Sequence, residues 1–195
     1  MKTPSILAMA VSAMLLSTGA QAAAPVISGN FGSGTFTGSV KAESYDFSLT
    51  NAENWSFWTF NADFMADVEI TVTPSDSMFD PIIGVWYGVE TDTLNYFGNI
   101  TDSSLNTVFV AGADGSSPFS LGGPGEAASV RFSNLYGTGT FVLAIADWQD
   151  NVGPGIESFN YSITASVPEP EAWAQLALGL GLLGGLARVR RNRAR

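Results

Sequence analysis

Carboxylates are the only abundant side chains in this sequence able to do acid–base or ligand chemistry. The chain of 195 residues carries 18 Asp and Glu against 8 Lys and Arg, with no histidine and no cysteine. That composition excludes Ser-His-Asp and Cys-His nucleophiles, an imidazole general base, thiolate- or His-bound zinc, and disulfides. Two chemistries remain: hard-cation binding through carboxylate and carbonyl oxygens, and glycoside hydrolysis by two acids about 5 to 9 Å apart. For calcium the candidates are Asp76 with Asp80 around one turn, and Asp147, Asp150 and Asn151 in the loop Asp147-Trp148-Gln149-Asp150-Asn151. Neither set has EF-hand spacing or a glycine–aspartate repeat. Turns recruit Asp and Asn to satisfy their own backbone, so solvated turn carboxylates are the expectation, with no firm metal site and no required cofactor. For hydrolysis, nothing selects any two of the sixteen acids in the middle of the chain. The chain is therefore expected not to be an enzyme, the alternative being a small secreted glycan-active enzyme with paired carboxylates.

Aromatic side chains are the other candidate binders, since ring faces pack on the apolar faces of sugars. Trp55, Trp58, Trp86, Trp148, Tyr87, Tyr96 and Phe97 are expected to be mostly core, because such rings bury large areas. Trp148 follows Asp147 in a polar loop and is expected to be the exposed one. Along residues 55–60, Trp55, Phe57 and Thr59 fall on one face and Ser56, Trp58 and Phe60 on the other, which predicts a central strand covered on both sides.

Charge is segregated along the chain. Arg188, Arg190, Arg191, Arg193 and Arg195 crowd the C-terminus and Lys2 lies near the start. Residues 25–166 hold sixteen acids against only Lys41 and Arg131, a formal charge of -14 for that stretch. Such an acidic body excludes nucleic acid as a natural partner. At the N-terminus, Lys2, the apolar stretch at residues 6–16 and the small-x-small sequence Ala20-Gln21-Ala22 predict a secretory signal over residues 1–22, cleaved after Ala22. An uncleaved anchor and an ordinary buried helix are the competing readings; the short apolar stretch and the small residues before Pro25 favour cleavage. Export would hand the chain to the Sec machinery.

At the C-terminus, Val167-Pro168-Glu169-Pro170 and Glu171 precede a largely apolar run, AWAQLALGLGLLGGLA, over residues 172–187, and then the arginines. As a helix that run spans roughly 24 Å at 1.5 Å per residue, against ~30 Å for the hydrocarbon core of a bilayer, which suits a transient foothold with its arginines in the cytoplasm; the competing reading is a plain C-terminal anchor whose preceding prolines merely end the domain. Proline lacks an N–H and holds its predecessor extended, so Pro168-Glu169-Pro170 stays accessible outside the helix. This order over residues 167–195 resembles the PEP-CTERM sorting signal of exopolysaccharide-producing Gram-negative bacteria, on Pro168, Glu169, Pro170, Trp173, the Gly/Leu-rich run and the final arginines. The resemblance implies a substrate of exosortase, a membrane-embedded thiol transpeptidase. It further implies transient insertion in the inner membrane, removal of the tail, and delivery to the cell surface or to an extracellular, biofilm-type polysaccharide matrix.

The middle must then fold as one domain over residues 25–166. Period-two alternation recurs there, as in Asp67-Val68-Glu69-Ile70-Thr71-Val72-Thr73 and along residues 158–165. It predicts further strands at 44–49, 55–60, 82–87, 94–98, 107–110, 128–132 and 140–146, separated by Gly, Pro, Asp and Ser turns. About nine short strands of this spacing predict an all-β, antiparallel two-sheet sandwich. The succession Trp58-Thr59-Phe60, Asp67 to Val72, Phe79-Asp80-Pro81-Ile82-Ile83-Gly84-Val85-Trp86, Gly139-Thr140-Phe141-Val142-Leu143-Ala144-Ile145 and Phe159-Asn160-Tyr161-Ser162-Ile163 resembles the bacterial pre-peptidase C-terminal domain. Phe141 stands where that family usually has tyrosine, and residues 91–126 exceed the length of the module. The resemblance implies a jelly-roll-like sandwich acting as a non-catalytic, polymer-holding or structural module, with an extracellular polysaccharide as partner.

Overall fold

The alternation seen in the sequence is realised as nine strands among the residues that the computed structural model describes, namely 24–45, 54–91, 93, 96, 107–115, 122–148 and 155–168. They are β1 Ile27–Phe31, β2 Gly34–Lys41, β3 Ser56–Ala62, β4 Asp67–Pro74, β5 Pro81–Tyr87, β6 Val108–Asp114, β7 Ala128–Ser133, β8 Gly139–Asp147 and β9 Ser158–Ser166. Two sheets stack face to face, one ordered β1-β3-β8-β5-β6 and the other β2-β9-β4-β7. The chain is an all-β sandwich, as expected. Pairing is antiparallel except between β1 and β3, which run parallel.

Two strands were not anticipated. β1 (ISGNF) and β2 (GTFTGSVK) are rich in Gly, Ser and Thr and carry few large apolar residues. They are edge strands, held more by backbone pairing than by burial. Of the strand expected at 44–49, only Ser44 and Tyr45 are described, and Tyr45 makes an isolated bridge to Trp148. Of the strand expected at 94–98, only Tyr96 is described, and it lies in no strand. The leader with Ala20 and Ala22, and the tail from Glu169 through the arginines, lie outside the described residues.

Between the sheets, Phe60, Phe141, Leu143 and Ile145 face Val68, Ile70, Phe159 and Ile163 in one continuous core. β3 and β8 are covered on their other side as well. There Trp55, Phe57, Trp86, Tyr96, Val142, Ala144 and Ala146 form a second buried cluster, with Tyr96 supplied by the stretch between β5 and β6. The both-faces reading of residues 55–60 is thus correct: Trp58 joins the inter-sheet core and Phe57 the outer cluster.

One polar contact crosses the core. The Tyr161 hydroxyl of β9 accepts a hydrogen bond from Trp58 Nε1 of β3 at 2.8 Å and exchanges another with Ser56 Oγ at 2.6 Å. Tyr161 reaches them by lying over Gly38, where a Cβ would sit 2.5 Å from the hydroxyl oxygen. Burial pushes the Tyr161 pKa up, against the lowering effect of the Ser56 and Trp58 bonds. Tyr161→Phe should preserve the packing but leave the Trp58 indole N–H buried without an acceptor. We expect a loss of about 1–3 kcal/mol in denaturant unfolding with the m-value unchanged.

Candidate functional site

The predicted carboxylates divide into three kinds. Asp147, fully buried at the end of β8, meets Asp80 where β5 begins beside it: its Oδ1 accepts the Asp80 backbone N–H at 3.0 Å and its Oδ2 the Glu43 backbone N–H at 2.8 Å. Its own N–H bonds Ser44 Oγ, and Trp148 N–H returns to the Asp80 carbonyl at 2.8 Å. The carboxylate is thus a bracket joining three chain segments, and it holds Glu43 in a left-handed conformation with φ of 52°. Asp76 is exposed and accepts the Met78 N–H at 2.8 Å, the turn-fixing role expected of such residues. Asp150 and Asn151 lie outside the described residues. Among the described residues no three His, Cys, Asp or Glu side chains converge as a metal site.

Aromatic burial also follows expectation, with one difference. Trp55, Trp58, Trp86 and Tyr96 are buried, and Tyr87 is half-buried. Trp148, expected to be exposed, is half-buried and stacked on Tyr45 at a centroid distance of 4.8 Å. The Asp147 bracket brings Tyr45 alongside, because Tyr45 N–H bonds the Asp147 carbonyl at 2.9 Å.

The outer face of the β2-β9-β4-β7 sheet holds an arrangement that the sequence reading missed. Inward positions of these strands are apolar, so outward positions are the alternate ones. Their register lines Thr35, Thr164, Thr71 and Ser129 into one row across all four strands, and Thr37, Ser162 and Thr73 into the next. Ser39 and Asn160 follow in the third. Thr71 and Ser129 share a hydrogen bond of 2.8 Å. Charges enter only beyond these rows, with Glu69 opposite Arg131 toward one end and Lys41 opposite Ser158 at the other. Rows repeat about every 6.7 Å along a strand and columns about every 4.8 Å between strands, giving a regular, uncharged lattice of hydroxyls. The signal was present in the sequence: most polar positions of the alternation are Ser, Thr and Asn, with Lys41, Asp67, Glu69 and Arg131 confined to the strand ends and their neighbours.

The chain leaves the sandwich next to this sheet. Val167 is buried, and both its backbone groups bond Ser33 Oγ, the carbonyl accepting at 2.6 Å and the N–H donating at 2.9 Å. Pro168, the first residue of Pro-Glu-Pro, is half-buried beside Phe64, Met65 and Ala66. Among the described residues no helix is long and apolar enough to cross a membrane; the run at 172–187 lies outside them.

No protein-family model matches the chain, and no curated protein matches it by sequence. Solved structures do resemble it. CorA, a surface-associated copper-binding protein important in copper acquisition by Methylomicrobium album BG8, superposes with a TM-score of 0.52 at 14% identity, over 74% of this chain and 100% of that one. That likeness is one of fold. The pre-peptidase C-terminal domain of a Bacillus anthracis collagenase gives 0.43 at 10% identity, covering 72% and 97% of the two chains. MopE, a secreted protein of Methylococcus capsulatus in which an oxidized tryptophan facilitates copper binding, gives 0.46 at 10% identity, covering 75% and 92%.

Burial pushes the Asp147 pKa up; its two backbone donors oppose this and the Glu43 charge adds to it. The ionised form is therefore less favoured in the folded than in the unfolded chain. The contribution of this group to stability is greatest below the ordinary Asp value of ~3.9 and falls as pH rises through its raised folded value. Asp147→Asn offers one acceptor to two backbone donors and should cost about 1–3 kcal/mol. Because the amide does not titrate, the gap in melting temperature between the two proteins should be widest in acid and narrow toward neutral pH.

Proposed function

We propose that this chain is an exported, non-catalytic surface component that lays a neutral, hydroxyl-rich polymer across the outer face of the β2-β9-β4-β7 sheet. The observation that carries this reading is the register of Thr35, Thr164, Thr71 and Ser129 with Thr37, Ser162 and Thr73. Each hydroxyl both donates and accepts, so a regular array of them suits a polyol presenting both kinds of group. The strong negative charge of residues 25–166 disfavours an anionic polymer, which selects a neutral polysaccharide.

Delivery follows from the two ends of the sequence. The leader passes the chain to the Sec machinery, and the tail beginning at Pro168 presents it to exosortase, which removes the tail and leaves the sandwich at the cell surface or in the exopolysaccharide matrix. The fold likeness to a surface-associated protein supports this placement. The copper binding of that neighbour is not carried over, because this chain has neither histidine nor cysteine, the side chains best suited to copper.

Two experiments test the reading. In affinity electrophoresis the mature protein should be slowed by a neutral glucan in the gel. The double substitution Thr37→Glu with Thr164→Glu should abolish the retardation while leaving the melting temperature nearly unchanged; absence of retardation in the unaltered protein, or its persistence in the variant, overturns polymer binding. In an exosortase-bearing host, mass spectrometry of the surface protein should find no peptide from the segment Trp173 to Arg195. Changing Pro168→Ala, Glu169→Gln and Pro170→Ala together should retain that segment in the inner membrane. Its presence on unaltered surface protein overturns the sorting reading.

A further inference from the structure

Most of the exposed large apolar side chains of the sandwich gather at one end, the end from which the chain departs. Phe64 and Met65 stand in the β3–β4 loop and Leu135 and Tyr136 in the β7–β8 loop, with exposures of 57%, 63%, 67% and 42%. Val89, just past β5, and Val108, opening β6, are exposed at the same end. Val26 and Ile27, the other exposed large apolar residues described, lie at the opposite end, where β1 begins beside the start of β3.

These loops are built, not loose. Buried Asn134 donates its amide to the carbonyls of Ala62, Asp63 and Gly137 at 3.1, 2.8 and 2.7 Å, and its Oδ1 accepts the Tyr136 N–H at 3.0 Å. Met65 N–H bonds the Asn134 carbonyl at 2.8 Å with Met65 at φ of 68°, a conformation unfavourable for a side chain of its size. Tyr136 stacks on Tyr87 at 5.6 Å. The fold thus spends backbone strain and a buried amide to present apolar side chains to solvent.

Chain length says what covers them. Pro168 lines the same surface hollow as Phe64 and Met65, and only Glu169, Pro170 and Glu171 separate it from the apolar run starting at Ala172. Fully extended, that connection spans at most about 14 Å. When the run at 172–187 enters a bilayer, this end of the sandwich is held at headgroup depth, where Phe, Tyr and Met side chains partition well. Asp63 and Asp67 flank the patch, so the contact is apolar and not an attraction to anionic headgroups.

We infer that the apolar end formed by Phe64, Met65, Leu135 and Tyr136 seats on the outer surface of the bilayer while the tail is inserted, holding the sandwich upright over Pro168-Glu169-Pro170. This rests on the reading of the tail as a membrane-inserting segment. The seating leaves the hydroxyl face standing perpendicular to the membrane and open along its length.

The absence of native cysteine gives a direct test with single, fluorophore-labelled cysteines in the full chain, reconstituted into phosphatidylcholine vesicles containing a lipid-borne quencher. Labels at Leu135→Cys and Val108→Cys should be quenched several-fold more than one at Ser158→Cys, which lies at the far end of β9, and the difference should persist in high salt. A label at Leu182→Cys reports the tail separately. Quenching at Leu182 without quenching at Leu135 and Val108 overturns the seating and leaves the tail reading intact. Absence of quenching at Leu182 removes the tail reading and the seating with it. A blue shift at Leu135 without lipid quenching means that protein, a second copy or the tail itself, covers the patch, which also overturns the seating.

Discussion

The sandwich depends on keeping two sheets in register across a core that contains almost nothing polar. Apolar packing alone is non-directional, so it permits sliding of one sheet over the other. The Tyr161 hydroxyl, bonded to Trp58 and Ser56 of the facing sheet, supplies direction. In a water-excluded interior an unmade bond at these groups is expensive, so any slide that parts them is penalised. Gly38 belongs to the same device, since only a residue without Cβ leaves room for the ring on β2. With β9 fixed this way, its alternate residues Asn160, Ser162 and Thr164 must point outward, and the hydroxyl rows follow from their pairing with β2 and β4.

At the same end of the sandwich, two residues beyond the Ser56–Ile145 pair, Asp147 plays an equivalent part for the loops. Its two oxygens gather the backbone of Glu43 and Asp80, and the Asp80-Pro81 step then starts β5 in line with β8. The upward pKa at Asp147 is the mark of a carboxylate recruited for geometry at the expense of hydration. Burial sets the direction of that shift, since the backbone donors that occupy both oxygens act against it.

Much of this was legible in the sequence, and the parts that were not share a cause. β4 and β9 were recognisable because Val68, Ile70 and Val72, and Phe159, Tyr161 and Ile163, alternate cleanly with polar residues. Trp55 to Phe60 was legible as doubly covered because both of its faces are apolar. β1 and β2 were not, since an edge strand made of Gly, Ser and Thr announces itself only through its partner. The pairing of Asp80 with Asp147 was invisible for a related reason: 67 residues separate them and only the topology brings them together. The hydroxyl lattice was written in the sequence one strand at a time, but it becomes a surface only once the order β2-β9-β4-β7 is known.

That strand order bears on how the chain is made. β9 is the last strand in sequence yet an inner strand of its sheet, lying between β2 and β4. Until residue 166 has emerged, β2 and β4 have no shared neighbour, Trp58 has no phenolic partner, and Ser33 has no Val167 to hold. Contacts of such long sequence separation form late. A polypeptide threaded outward from its N-terminus would therefore remain pliable throughout its passage and set into its final shape only on the far side.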